Sequence, residues 1–99
     1  MWERCRYFEK VGSEGGIVLL DEEYEQLCRI TLEYCHHYYA ITCGVYGDMV
    51  CTAFCNKINY IEIYKSMKNE LQNFIDNVYQ RDTLDGRAEF YKYFTDKYY

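Results

Sequence analysis

Four of the six cysteines and both histidines of this chain fall within CHHYYAITCGVYGDMVCTAFC, residues 35–55. Two chemistries use such residues. A structural zinc takes thiolate and imidazole ligands in close pairs such as C-x2-C or H-x3-H, so that both members reach one ion. A thiol nucleophile needs a base within hydrogen-bond reach and a third group that orients the base. Cys35, His36 and His37 are the metal candidates. Yet the positions of Cys28, Cys35, Cys43, Cys51 and Cys55 match none of the paired spacings. On a strand, Cys51 and Cys55 stand about 13 Å apart, too far to share an ion. Cys35 and His36 are adjacent, and adjacent strand residues point to opposite faces. The expectation is therefore no metal, no cofactor and no catalytic residue, with buried cysteines acting as small hydrophobes.

Other motifs are missing as well. GSEGG at residues 12–16 lacks the lysine and following helix of a phosphate-binding loop, and no nucleophile elbow occurs. The formal charge is −5, which argues against a nucleic-acid partner. Most of it comes from DEEYE, where Asp21, Glu22, Glu23 and Glu25 form an acidic patch. That patch reads as a solvated connection between strands or as a dock for a basic partner. No apolar run approaches the ~20 residues of a membrane helix. The opening MWERCRYFEK is charged from its third residue, unlike a signal peptide. A cytoplasmic protein with reduced thiols is expected.

The elements that carry these residues follow from periodicity. WERCRYFEKV, the glycine turn and IVLLD read as strand, turn and strand. LCRITLEYC alternates cleanly with period two, whereas a helical reading is interrupted at Thr31. If His36-His37 is a hairpin tip, Tyr34 faces Tyr39, Leu32 faces Ile41, Ile30 faces Cys43 and Cys28 faces Val45. Every pair is apolar, and a slip of one residue destroys the match. Gly47-Asp48 reads as a second two-residue turn, which sets Val45 against Val50, Cys43 against Thr52 and Ile41 against Phe54.

The remainder is helical. Asn59 with Glu62 has the form of a capping box, and Ile61, Tyr64, Met67, Leu71, Phe74, Ile75 and Val78 recur at three and four. The fold class is α+β in a single domain of residues 1–99. A four- to five-stranded antiparallel meander, with strands near 2–11, 16–21, 27–35, 38–46 and 49–55, precedes a long helix at about 59–79. That helix packs on one face, and a short C-terminal helix follows at about 86–97.

With this register the outer face of the last two strands carries Ala40, Thr42, Gly44, Tyr46, Met49, Cys51, Ala53 and Cys55. It holds no charge, although a solvated sheet face normally alternates to charged residues. Either the chain covers it or it is an interaction face for another protein or a second copy. The 13 tyrosines suit an interface, since each joins an apolar ring to a polar tip. In composition the chain resembles small acidic immunity, inhibitor and adaptor proteins, which implies a non-enzymatic interaction module. Two alternatives stand beside it. One is a metal- or redox-sensing protein. The other is a small ligand binder or enzyme with a pocket between sheet and helix, its polar tips being Tyr34, Tyr39, His37 and Tyr64.

Overall fold

A computed structural model describes residues 1–5, 10–79 and 84–99. Five strands, β1 (Trp2–Arg4), β2 (Ile17–Tyr24), β3 (Cys28–Cys35), β4 (Tyr38–Val45) and β5 (Met49–Cys55), form one antiparallel sheet in chain order. Two helices follow, α1 (Tyr60–Phe74) and α2 (Leu84–Tyr98). A π-helical turn at Ile75–Tyr79 extends α1. The expected α+β meander with a long and a short helix is the observed fold. The first strand is shorter than expected, and the part of that expectation on residues 6–9 lies outside the described residues.

The β3–β4 hairpin has the register that its apolar pairs dictate, from Cys28↔Val45 to Cys35↔Tyr38. His36 takes a φ of 46° at the tip, and the Tyr34 hydroxyl donates to its carbonyl at 3.0 Å. The β4–β5 hairpin differs by one residue: Val45 faces Met49, Cys43 faces Cys51 and Ile41 faces Ala53. Three residues rather than two make this turn. The Asp48 amide donates to the Val45 carbonyl at 2.9 Å, and Gly47, at φ 80°, is the second central residue. A type II turn needs a positive φ at that position, so glycine belongs there rather than one place earlier.

Because side chains alternate, this shift exchanges the two faces of β5. Met49, Cys51, Ala53 and Cys55 join the core, while Val50, Thr52 and Phe54 face outward. On the inner face these residues meet Tyr64, Met67, Leu71, Phe74, Ile75 and Phe94 from the helices. Each large side chain buried there contributes roughly 1.5–3 kcal/mol. α2 packs against β5, and the other register would turn the Thr52 hydroxyl and the Phe54 ring into this apolar layer.

The capping box does not form, and Asn59 makes no side-chain cap. Instead the Asn56 carboxamide oxygen accepts the Ile58 and Asn59 amides at 2.8 and 3.0 Å. Ile61 of the expected stripe is half exposed. β2 runs through Tyr24, so Asp21 to Tyr24 of DEEYE are strand and only Glu25 lies in the connection. The turn after it places Glu25 and Gln26 at φ 53° and 58°.

Candidate interaction surface

The side of the sheet away from the helices divides into two parts. Over the β2–β3 part, the glycine turn at residues 12–16 folds back onto β3. The Glu14 and Gly16 amides donate to one oxygen of Glu33 at 3.1 and 2.9 Å, and the Glu33 side chain is fully buried beneath them. A Cβ on Gly16 would lie 2.6 Å from the Tyr34 carbonyl oxygen, so only glycine allows this approach. The chain itself covers this half of the face.

Over the β4–β5 part the cover stops. The Ser13 and Thr42 hydroxyls lie 3.3 Å apart, and Thr42 meets Thr52 at 3.2 Å. Beyond them Val50 is 77% and Phe54 59% exposed. The Phe54 ring meets the exposed Tyr38 ring edge-on at 5.7 Å. Between the covered and open parts lies a cavity of about 630 Å³ lined by Val11, Ser13, Val18, Arg29, Thr31 and Val50 among others. Its charged wall is internally paired. Arg29 donates to both oxygens of buried Asp21, at 2.8 and 2.6 Å, and the Thr31 hydroxyl adds a bond at 3.1 Å. These bonds raise the Arg29 pKa further, so the guanidinium stays charged.

Of the residues expected on the uncharged face, Ala40, Thr42 and Gly44 are there, with Ala40 buried. Tyr46 is exposed in the turn, and its hydroxyl donates to Glu23. Met49, Cys51, Ala53 and Cys55 are not on that face. The three-residue turn sends them inward, and all four are buried. Sequence reasoning missed Val50, Thr52 and Phe54 as surface residues. The signal for them was Gly47 read as the second central residue of its turn.

The four carboxylates of the acidic patch do not stand free as a loop. Asp21 holds Arg29 and Thr31, and Glu23 accepts from Tyr46. Glu25 pairs with the N-terminal ammonium at 2.7 Å. Glu22 accepts from Tyr64 at 2.7 Å and Lys68 at 2.8 Å. Partial burial raises the Glu22 pKa, but these two bonds outweigh it and hold the carboxyl below its ordinary value.

All six cysteines are free and buried. Burial pushes the Cys28 thiol up to about 12 and raises that of Cys55. Cys35 lies under the glycine turn, 3.5 Å from a Glu33 oxygen, and burial with that carboxylate raises its pKa too. His36 and His37 are exposed at the hairpin tip, their rings 4.1 Å apart. The structure does not gather Cys35 with them into a site, and no group of three or more potential metal ligands occurs among the described residues. The four tyrosine and histidine tips considered for a sheet–helix pocket are likewise dispersed. Tyr64 is buried against Glu22, Tyr39 stacks on Tyr60 at 3.8 Å, Tyr34 bonds the His36 carbonyl, and His37 faces solvent.

A second exposed apolar group, Ile17, Leu20 and Tyr34, sits on the helix side of β2 and β3. β3 has a sheet neighbour on each side, and β2 is flanked by β1 along Glu22–Tyr24 and by the Val11–Ile17 bridge. β5 is different. It is the last strand of the sheet, and among the described residues no backbone group outside β4 bonds to it. No helix of the described residues is long and apolar enough to cross a membrane. The chain matches no protein-family model, no curated protein and no solved structure.

Proposed function

We propose that this chain is a non-enzymatic protein-interaction module of the inhibitor, immunity or adaptor type, binding through the outer side of the β4–β5 hairpin. One observation carries the reading: Tyr38, Val50 and Phe54 stand exposed on a stretch of sheet without a charged side chain. A solvated antiparallel face normally carries charge at such positions. An aromatic pair flanked by threonine hydroxyls has the composition of an interface centre, where charged residues are depleted and aromatics enriched. The non-enzymatic part of the reading is supported by the state of the ionisable groups. The thiols are buried, Asp21 and Arg29 neutralise each other, and the remaining DEEYE carboxylates hold internal partners.

The test is quantitative affinity capture from the native cell with the wild type and a V50K/F54K double variant. Both substituted side chains already face solvent, so unfolding of the monomer should change by no more than about 1 kcal/mol, mostly through the lost Phe54–Tyr38 contact. Loss of the wild type's captured proteins from the variant is expected. Identical capture by both, or no specific capture by either, overturns the reading.

The cavity beside Arg29 favours a second reading. Its size falls within the ~300–1,000 Å³ of small-molecule sites, on the opposite face from the pocket expected between sheet and helix. Ligand-dependent thermal stabilisation that survives F54K, a substitution outside the cavity lining, would favour that reading.

A further inference from the structure

We propose that two copies of this chain pair through β5, antiparallel about a twofold axis at Thr52, joining their sheets into one. This rests on the interaction reading above and names the partner as a second copy. A strand at the end of a sheet presents a row of unpaired amides and carbonyls, and proteins normally blunt such edges with charge, proline, a bulge or brevity. β5 has none of these. MVCTAFC is seven residues long and holds no charge and no proline. Its register with β4 runs unbroken from Tyr39↔Cys55 to Val45↔Met49, so the edge stays straight.

The segment is also self-complementary. A twofold axis at Thr52 sets Val50 opposite Phe54 of the second copy, and Thr52 opposite its own equivalent. Met49 then meets Cys55 across the axis, and Cys51 meets Ala53. No pair brings charge to charge, and the outer row joins a β-branched residue to an aromatic ring, a favourable cross-strand pair. The two most exposed side chains of the strand thereby cover each other reciprocally, as an isologous contact requires. A foreign strand would satisfy the backbone equally, but nothing charged on β5 selects one. The self-pair alone matches both side-chain rows without any added partner.

The charge distribution permits the approach. Asp21, Glu22 and Glu23 lie on β2, with β3 and β4 between them and the pairing edge. Asp48, the acidic residue next to β5, accepts the Tyr91 hydroxyl at 2.6 Å and lies 3.9 Å from Arg87. The opposite edge does not offer the same contact. β1 has three residues, two of them Glu3 and Arg4, and β2 beside it has a register shift between Val18 and Leu20. Assembly through β5 therefore closes at two copies.

Light scattering on the full chain, from micromolar to millimolar concentration, tests this with the wild type, T52K and T52C. The wild type should move toward twice its monomer mass. T52K, which places like charges on the axis, should raise the dissociation constant about tenfold or more, a change of 1.4 kcal/mol. T52C should yield a disulfide-linked dimer under mild oxidation. If T52K fails to fold, V50K, whose side chain is already in solvent, is read in its place. A wild type that stays monomeric at millimolar concentration overturns the proposal. So does a dimer that T52K or V50K leaves unchanged. A monomeric wild type that still loses captured proteins in V50K/F54K leaves the interaction reading standing and removes only self-pairing.

Discussion

The two edges of the sheet are built in opposite ways. At β1 the strand is short, Glu3 and Arg4 carry charge, and the N-terminal ammonium binds Glu25. The neighbouring β2 adds a register shift and is fixed by the Cys5 amide, which donates to the Asp21 carbonyl at 2.8 Å. At β5 the strand is seven uncharged residues in unbroken register. The same contrast appears on the outer face. Beside β2 and β3 the glycine turn covers the sheet and donates two amides to one oxygen of Glu33, whereas beside β5 Val50 and Phe54 meet solvent. One side of the molecule is finished by its own chain. The other leaves an uncharged row of side chains in solvent.

The largest effect belongs to the inner row of β5. Ala53→Glu buries a charge with no partner and should cost roughly 3–5 kcal/mol, read by urea unfolding. Phe54→Glu, one residue on, should cost the monomer no more than about 1 kcal/mol, the worth of its edge-on contact with Tyr38. The reverse ranking would mean that β5 sits one residue out of register, and the open edge would then carry a different row.

That pair of variants also marks what the sequence made legible. Cys28 to Tyr39 could be placed to the residue, because a slip in that hairpin puts Arg29, Thr31 and Glu33 into the core. β5 offers no such penalty. Met49, Cys51 and Ala53 are apolar, and so are Val50 and Phe54, so both registers bury acceptable side chains. What decides is whether Gly47 is the first or second central residue, together with the packing of α2 against the inner row of β5. The second condition involves residues some forty positions away and leaves no local pattern. The strand setting of Asp21 to Glu23 was missed for a similar reason. Glu22 finds Lys68, and Glu23 finds Tyr46, only after the chain has folded. The core stripe of α1 was legible from Tyr64 to Ile75, because a 3.6-residue period appears in the sequence whatever the partner.

A smaller effect is expected at the closed edge. Asp21→Ala removes the acceptor of Arg29 and Thr31 and should cost about 1–3 kcal/mol in urea unfolding. A loss below that range would mean that β1 and β2 are held by backbone pairing alone.

Smaller again is the acid response of Glu22. Its carboxyl is held below the ordinary value, so its contribution is complete above the ordinary glutamate pKa of ~4.3 and is lost as pH falls through the folded value. The part removed by Glu22→Gln should be about 1 kcal/mol, seen as a shallower decline in stability toward about pH 3. An unchanged acid limb would assign that decline to other carboxylates.

Hydrogen exchange across a dilution series reads the β5 edge directly. If β5 pairs with a second copy, amides within Met49–Cys55 should lose protection as the protein is diluted, while those of β3 and β4 keep theirs. Protection of Met49–Cys55 that does not vary with concentration would mean that the edge stays unpaired, and that the uncharged strand has no partner in a second copy.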